Sequence, residues 1–198
     1  LLRSSEPDVI DSAGIVCDRT LTAWDYLTGD PVNRLDGAAD PFGPTGGGAL
    51  FDRAAYNAVG GFDERIFLYY EDLDLALRMR LAGFRCRLAA GARALHDSSA
   101  TLGRRAAAKY RQTGFSRGYL LRKYGVMRDP TLALKVLLSD TSAVLAQAVL
   151  DRTLAGGRGR IEGWRSAAGA DPLVSPTNLL APANLCRHFA VRLRRRRY

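Results

Sequence analysis

Cysteine is scarce. Cys17, Cys86 and Cys186 are odd in number, far apart and never arranged as C-x-x-C. That excludes a disulfide framework and a zinc ribbon, and it favours a reducing compartment. No apolar run reads as a membrane span. The longest candidate, residues 132–150, contains Lys135, Asp140 and Gln147 and is expected to be an amphipathic helix instead. There is no G-x-G-x-x-G, and residues 43–48 lack the Lys-Ser/Thr that completes a phosphate loop, so both nucleotide signatures are excluded. Neither Ser-His-Asp nor Cys-His catalysis has a local signature. Acidic residues are also short, at 20 against 29 basic, for a net charge of +9. Such a balance favours an anionic partner: nucleic acid, acidic headgroups or a phosphorylated substrate. Much of the excess sits in the last dozen residues, where Arg187, Arg192 and residues 194–197 crowd together.

What is present suits a soluble globular chain: 47% hydrophobic and 25% charged over 198 residues, enough for one well-cored domain and an appendage. Residues 8–17 read as a strand with a turn at Ala13-Gly14. Residues 18–44 read as a long irregular loop, and residues 45–51 (TGGGALF) as a strand entered through three glycines. Asp52 is placed to cap a short helix ended by Gly60-Gly61. From Asp72 the apolar positions Leu73, Ala76, Leu77 and Leu81 follow helical spacing, with Arg78 and Arg80 near the end and Gly83 as the stop. Short strands are expected at 84–88 and 92–95, the second delivering His96. Beyond residue 105 the pattern becomes helical. Residues 106–124 interleave aromatic and basic side chains, and a second helix carries a stripe of Leu134, Leu137, Leu138, Thr141, Leu145 and Ala148. Residues 156–163 (GGRGRIEG) read as a break. Residues 169–185, rich in Pro, Ala and Asn, read as poorly ordered.

The chemistry concentrates in residues 60–99. Glu71, Asp72 and Asp74 open a helix, where the macrodipole favours acids without any function. Alternatively, adjacent like charges and partial burial raise one carboxylate's pKa until it serves as a base, with Tyr69 and Tyr70 walling off water. Asp72-Leu73-Asp74 also spells D-x-D, a metal–diphosphate pattern, but its position within a helix argues against that role. His96, at a strand end, is either structural or a metal ligand whose oxygen partners converge from elsewhere, with Asp97, Ser98 and Ser99 behind it. The basic-aromatic helix fits nucleic acid, an anionic membrane or a solvated face.

The sequence GGFDE-x₅-YEDLDL-x₂-R followed by H-x-x-S resembles the second half of a family 2 glycosyltransferase of the rhamnosyltransferase-like bacterial branch, from about Asp11 to Tyr124. The resemblance implies an α/β fold: part of a GT-A nucleotide-diphospho-sugar sheet-and-helix unit, followed by C-terminal amphipathic helices. It implies inverting transfer from a nucleotide-sugar donor to a glycan or lipid-linked acceptor, in cell-envelope polysaccharide or glycolipid assembly. Asp72 would be the general base, and Glu71 would shape the site beside it. Gly46, Gly47 and Gly48 would line the floor near the sugar, with Tyr70 and Asp74 among the substrate contacts. His96 would coordinate a divalent cation, Mg²⁺ or Mn²⁺.

The family's donor-binding half precedes this region. The chain opens Leu-Leu-Arg-Ser-Ser-Glu without an initiator methionine, so it is expected to be a fragment, inactive by itself. The expected divisions are 1–104 for the acceptor-side half, 105–168 for a helical extension and 169–198 for a basic tail. A cytoplasmic location is expected, with peripheral contact at the inner membrane face through the basic-aromatic helix and the Arg tail. Two other readings stand beside this one. The first is a non-catalytic remnant that binds membrane or partner proteins. The second is a nucleic-acid-binding protein, which charge alone supports and which is set aside.

Overall fold

The structure, a computed structural model, describes residues 1–97, 107–168 and 176–182. Within them the chain is mixed α/β, with five α-helices and two small two-stranded sheets. It divides into two units: Leu1–Val16 with Ala23–Gly103, and Cys17–Thr22 with Arg104–Tyr198.

In the first unit, β1 (Leu2–Arg3) runs parallel to β4 (Leu95–His96), pairing Leu2 with Leu95 and Arg3 with His96. β2 (Ile15–Cys17) pairs with β3 (Ala23–Asp25), and a bridge ties Ile15 to Gly43. Leu2, Ile10, Ala13 and Leu35 form a small core, flanked by Tyr26, Val32 and Leu88. The short helix α1 (Arg53–Ala58) is capped as its sequence suggests, with Asp52 accepting from the Ala55 N–H at 2.8 Å.

Helix α2 (Glu71–Leu81) is the principal element of this unit. Leu73, Leu75, Ala76 and Leu77 are buried. The helix ends where the glycine predicts. Gly83 adopts φ +89°, its N–H reaches the Arg80 carbonyl, and the Phe84 N–H reaches that of Met79. That is a Schellman closure, which uses up carbonyls the helix would otherwise leave unpaired. Arg80 then fixes the preceding loop by donating to the Phe42 and Pro41 carbonyls at 2.9 and 3.1 Å.

In the second unit, α3 (Ala107–Lys123) packs on α5 (Ala155–Ser166), with α4 (Pro130–Leu150) alongside. Asp129 caps α4 and Pro130 occupies its first position. The α3–α5 seam is made of glycine. A Cβ on Gly118 would run into the Arg160 backbone, and one on Gly159 or Gly163 into the backbone of Arg111 or Phe115. Between the helices Asp140 is held by Arg117 at 3.3 Å and Arg160 at 3.1 Å. Arg117 also donates to the Thr20 carbonyl at 2.7 Å. The two guanidinium groups overcome the cost of burial and keep the Asp140 carboxyl below its usual range.

Five local expectations are corrected. Residues 45–51 are a turn with exposed glycines rather than a strand, because three glycines offer no side chains to pack a ladder. Residues 84–88 pair with nothing as a strand, and the loop at 18–44 contains β3 and a 3₁₀ turn at Val32–Leu35. The glycine-rich stretch 156–163 is helix α5 instead of a break. Finally, α4 is long and apolar enough to cross a membrane by length and composition, which its sequence reading denied. The tail with its arginines lies outside the described residues.

Candidate active site

All of the site residues described here belong to the first unit. Tyr69 and Tyr70 precede α2 with φ of +63° and +68°, left-handed backbone that bulky residues rarely adopt. Such strain costs on the order of 1–3 kcal/mol per residue and persists where surrounding structure imposes it. Tyr70 serves as the N-cap through its backbone, its carbonyl accepting from the Asp74 N–H at 2.9 Å. The double kink sets Glu71 and Asp72 in the first turn of the helix.

Asp72 is held at both carboxylate oxygens. The Gly46 N–H donates to Oδ2 at 3.1 Å and the Leu73 N–H to Oδ1 at 2.7 Å. Burial raises its pKa above the ordinary carboxylate value, and the Asp25 charge pushes the same way against the two backbone donors. Glu71 is raised too, by burial first and by the Asp72 charge as well. Its Oε1 faces Gly46, 3.3 Å from where a Cβ would stand. Its Oε2 is buried and takes no hydrogen bond from any described residue. A buried carboxylate oxygen without a donor is costly, and protonation of the carboxyl relieves that cost.

The glycines connect this acid pair to His96. Gly46 faces Glu71 and Asp72, while the next residue, Gly47, lies with its Cβ direction 3.8 Å from His96 Nε2. His96 Nδ1 is 2.6 Å from Asp11 Oδ2, so Asp11 fixes the ring and leaves Nε2 on the glycine side. A carboxylate behind an imidazole is the usual way a metal-binding histidine is oriented. No three His, Cys, Asp or Glu side chains converge among the described residues. The arrangement therefore fits one position of a cation's coordination sphere, not a site built from protein alone.

Of the residues expected at the site, Asp72, Glu71, Gly46, Gly47 and His96 lie together, with Gly48 continuing the exposed turn and Tyr70 in the kink. Asp74 does not. It is fully buried and its carboxylate pairs with Arg78 Nε at 2.8 Å, which in turn donates to the Val59 carbonyl. Within α2 it sits two residues from Asp72, which turns it away from the Gly46 side. Asp11 and Asp25 are site residues that sequence reasoning passed over. Asp11 lay visible in the Asp8-Val9-Ile10-Asp11 run, but only the fold brings it to His96.

No protein-family model matches the chain, and no solved structure does. Over 80 residues it is 40% identical to N-acetylglucosaminyl-diphospho-decaprenol L-rhamnosyltransferase of Mycobacterium tuberculosis, in both strain CDC 1551 / Oshkosh and strain ATCC 25618 / H37Rv. The matched stretch is 40% of this chain and 26% of each relative, so the chain spans about a quarter of their length. The likeness, over that stretch, is to a rhamnosyltransferase, and it supports glycosyl transfer as the general class of activity.

Proposed function

We propose that the chain is the acceptor-side part of an inverting family 2 glycosyltransferase of GT-A fold, with Asp72 as general base. The observation that carries this is the Asp72 carboxylate, pinned between the Gly46 and Leu73 N–H groups beside Glu71. The acceptor hydroxyl gives its proton to Asp72 as its oxygen attacks the anomeric carbon, and the bond to the nucleoside diphosphate breaks on the opposite face. A carboxylate pKa raised by burial brings the base closer to the hydroxyl it must deprotonate. Glu71 shapes the site beside Asp72, and the glycines leave room for the sugar against the backbone.

The acceptor is a lipid-linked glycan, by analogy with the relatives' name, and the donor a nucleotide sugar, as the family resemblance implies. His96 Nε2 would hold a divalent cation, Mg²⁺ or Mn²⁺, which offsets the charge developing on the diphosphate when bound. Such a reaction belongs to cell-envelope assembly at the cytoplasmic face of the membrane. Because the match covers a quarter of the relatives, the purified chain by itself is expected to transfer little sugar.

The test is Asp72→Asn in an active polypeptide containing this sequence. The expected result is a fall in kcat of about 10²–10⁴-fold, with the KM for donor nearly unchanged. Activity within a factor of about three of the parent would remove Asp72 from the role.

A further inference from the structure

The second unit carries a surface with chemistry of its own. Helix α4 turns Ser139 and the paired Asp140 inward with Leu132 and Val136, and leaves Leu134, Leu137, Leu138, Leu145, Val149 and Leu150 each more than half exposed. An isolated exposed leucine is ordinary, but five leucines and a valine on one helix are not. This apolar side does not stop at α4. A cavity of about 320 Å³ lies between the helices, and Leu137, Leu145, Ile161 and Trp164 among its lining residues carry the apolar surface across to α5.

Its surroundings are basic. Arg128 and Arg152 stand just outside the two ends of α4, Arg158 and Arg165 are exposed on α5, and Arg122 lies over the Trp164 ring at 5.5 Å. The described residues of this unit hold twelve basic against five acidic side chains. Of those five, Asp18 and Asp140 are buried, Glu162 is paired with Arg111, and Asp151 accepts from Tyr110.

We infer that the outward side of α4, with Ile161 and Trp164, is a membrane-docking surface that seats in the headgroup–acyl boundary of an anionic bilayer. Charge decides in favour of a bilayer over a second copy of the chain. A two-fold contact would bring this basic border against itself, whereas phosphate headgroups neutralise it while leucines enter the acyl region. Trp164 beneath a guanidinium suits the interface, apolar in body and polar at the edge. Crossing the membrane is disfavoured, since α4 carries the buried Asp140 and is tied through it to α3 and α5, whose exposed Arg111 and Arg158 belong in water. The inference stands on this unit alone and not on the chemistry proposed for Asp72.

The experiment is flotation of the full chain with vesicles of phosphatidylcholine alone or with 30% phosphatidylglycerol (about the anionic fraction that gives a useful surface potential). The parent is compared with Leu134→Gln/Leu138→Gln/Leu145→Gln and with deletion of residues 194–197. All three variant leucines are exposed, so the triple variant should melt like the parent, and circular dichroism checks that it does. The expected results are binding to anionic vesicles, a blue shift of tryptophan emission, and roughly tenfold or greater loss of partition for the triple variant. The tail deletion should keep most of the binding. Undiminished binding by the folded triple variant, or binding abolished by the tail deletion alone, would overturn the assignment. So would a parent dimer that the triple variant converts to monomer without any vesicle binding by either.

Discussion

Tyr69 and Tyr70 spend conformational energy to set the acid pair, and Glu71 adds an electrostatic cost. Its carboxyl pKa is raised in the folded chain, so the protonated form is the one folding favours. That contribution is present at low pH and lost as pH rises through the folded value. Near neutrality, therefore, ionised Glu71 weakens the fold. Glu71→Gln, which mimics the neutral acid, is expected to raise the Tm by a few degrees at pH 7, with the gain shrinking toward about pH 4. Thermal melts of the two proteins at both pH values check this. The YEDLDL sequence marked the acids clearly, and of the three glycines it is Gly46 that faces Glu71 and Asp72. It did not separate Asp74 from its neighbours, although Arg78, one helical turn on at i,i+4, is the local partner that claims that carboxylate. Asp11 and Asp25 were hidden for the complementary reason. Each meets its partner in the site, His96 or Asp72, from far away in sequence.

At the level of elements, α2 was readable from end to end because its leucine spacing, terminal arginines and Gly83 all agree. Helix α5 was not. Four glycines in eight residues normally forbid a helix, each costing about 1 kcal/mol relative to alanine. Here the absent side chains let the backbones of α3 and α5 touch, so packing repays what local propensity loses. The consequence inverts the usual effect of a substitution. In an exposed helix Gly→Ala stabilises, but at Gly118 the new methyl would meet the Arg160 backbone, which cannot rotate aside. Gly118→Ala is expected to destabilise by about 2 kcal/mol or more, within or beyond the range of overpacked cores. Chemical denaturation of parent and variant gives the value. Helix α4 misled in another way. Its leucine stripe was recognised as one face, and a stripe alone does not say whether it faces protein or something else.

For the molecule as a whole, composition announced a basic, cysteine-poor chain, and both features have structural counterparts. Cys17 is buried and free, Cys86 is half-buried and free, and the described second unit holds much of the positive charge. The division into an acid-bearing α/β unit and a helical unit follows the change of pattern near residue 105. What the order of residues does not foretell is the assignment of Cys17–Thr22, the end of β2 and the loop that follows it, to the helical unit. There Leu21 and Thr20 are buried, and the Thr20 carbonyl receives Arg117. The two units are thus interleaved along the chain. A single crossover near residue 104 would carry Arg117 away from its acceptor and leave six residues of the helical unit behind. Shuffling either unit into another protein therefore requires two joints, and recombination with one would leave Arg117 with Asp140 but without its Thr20 acceptor.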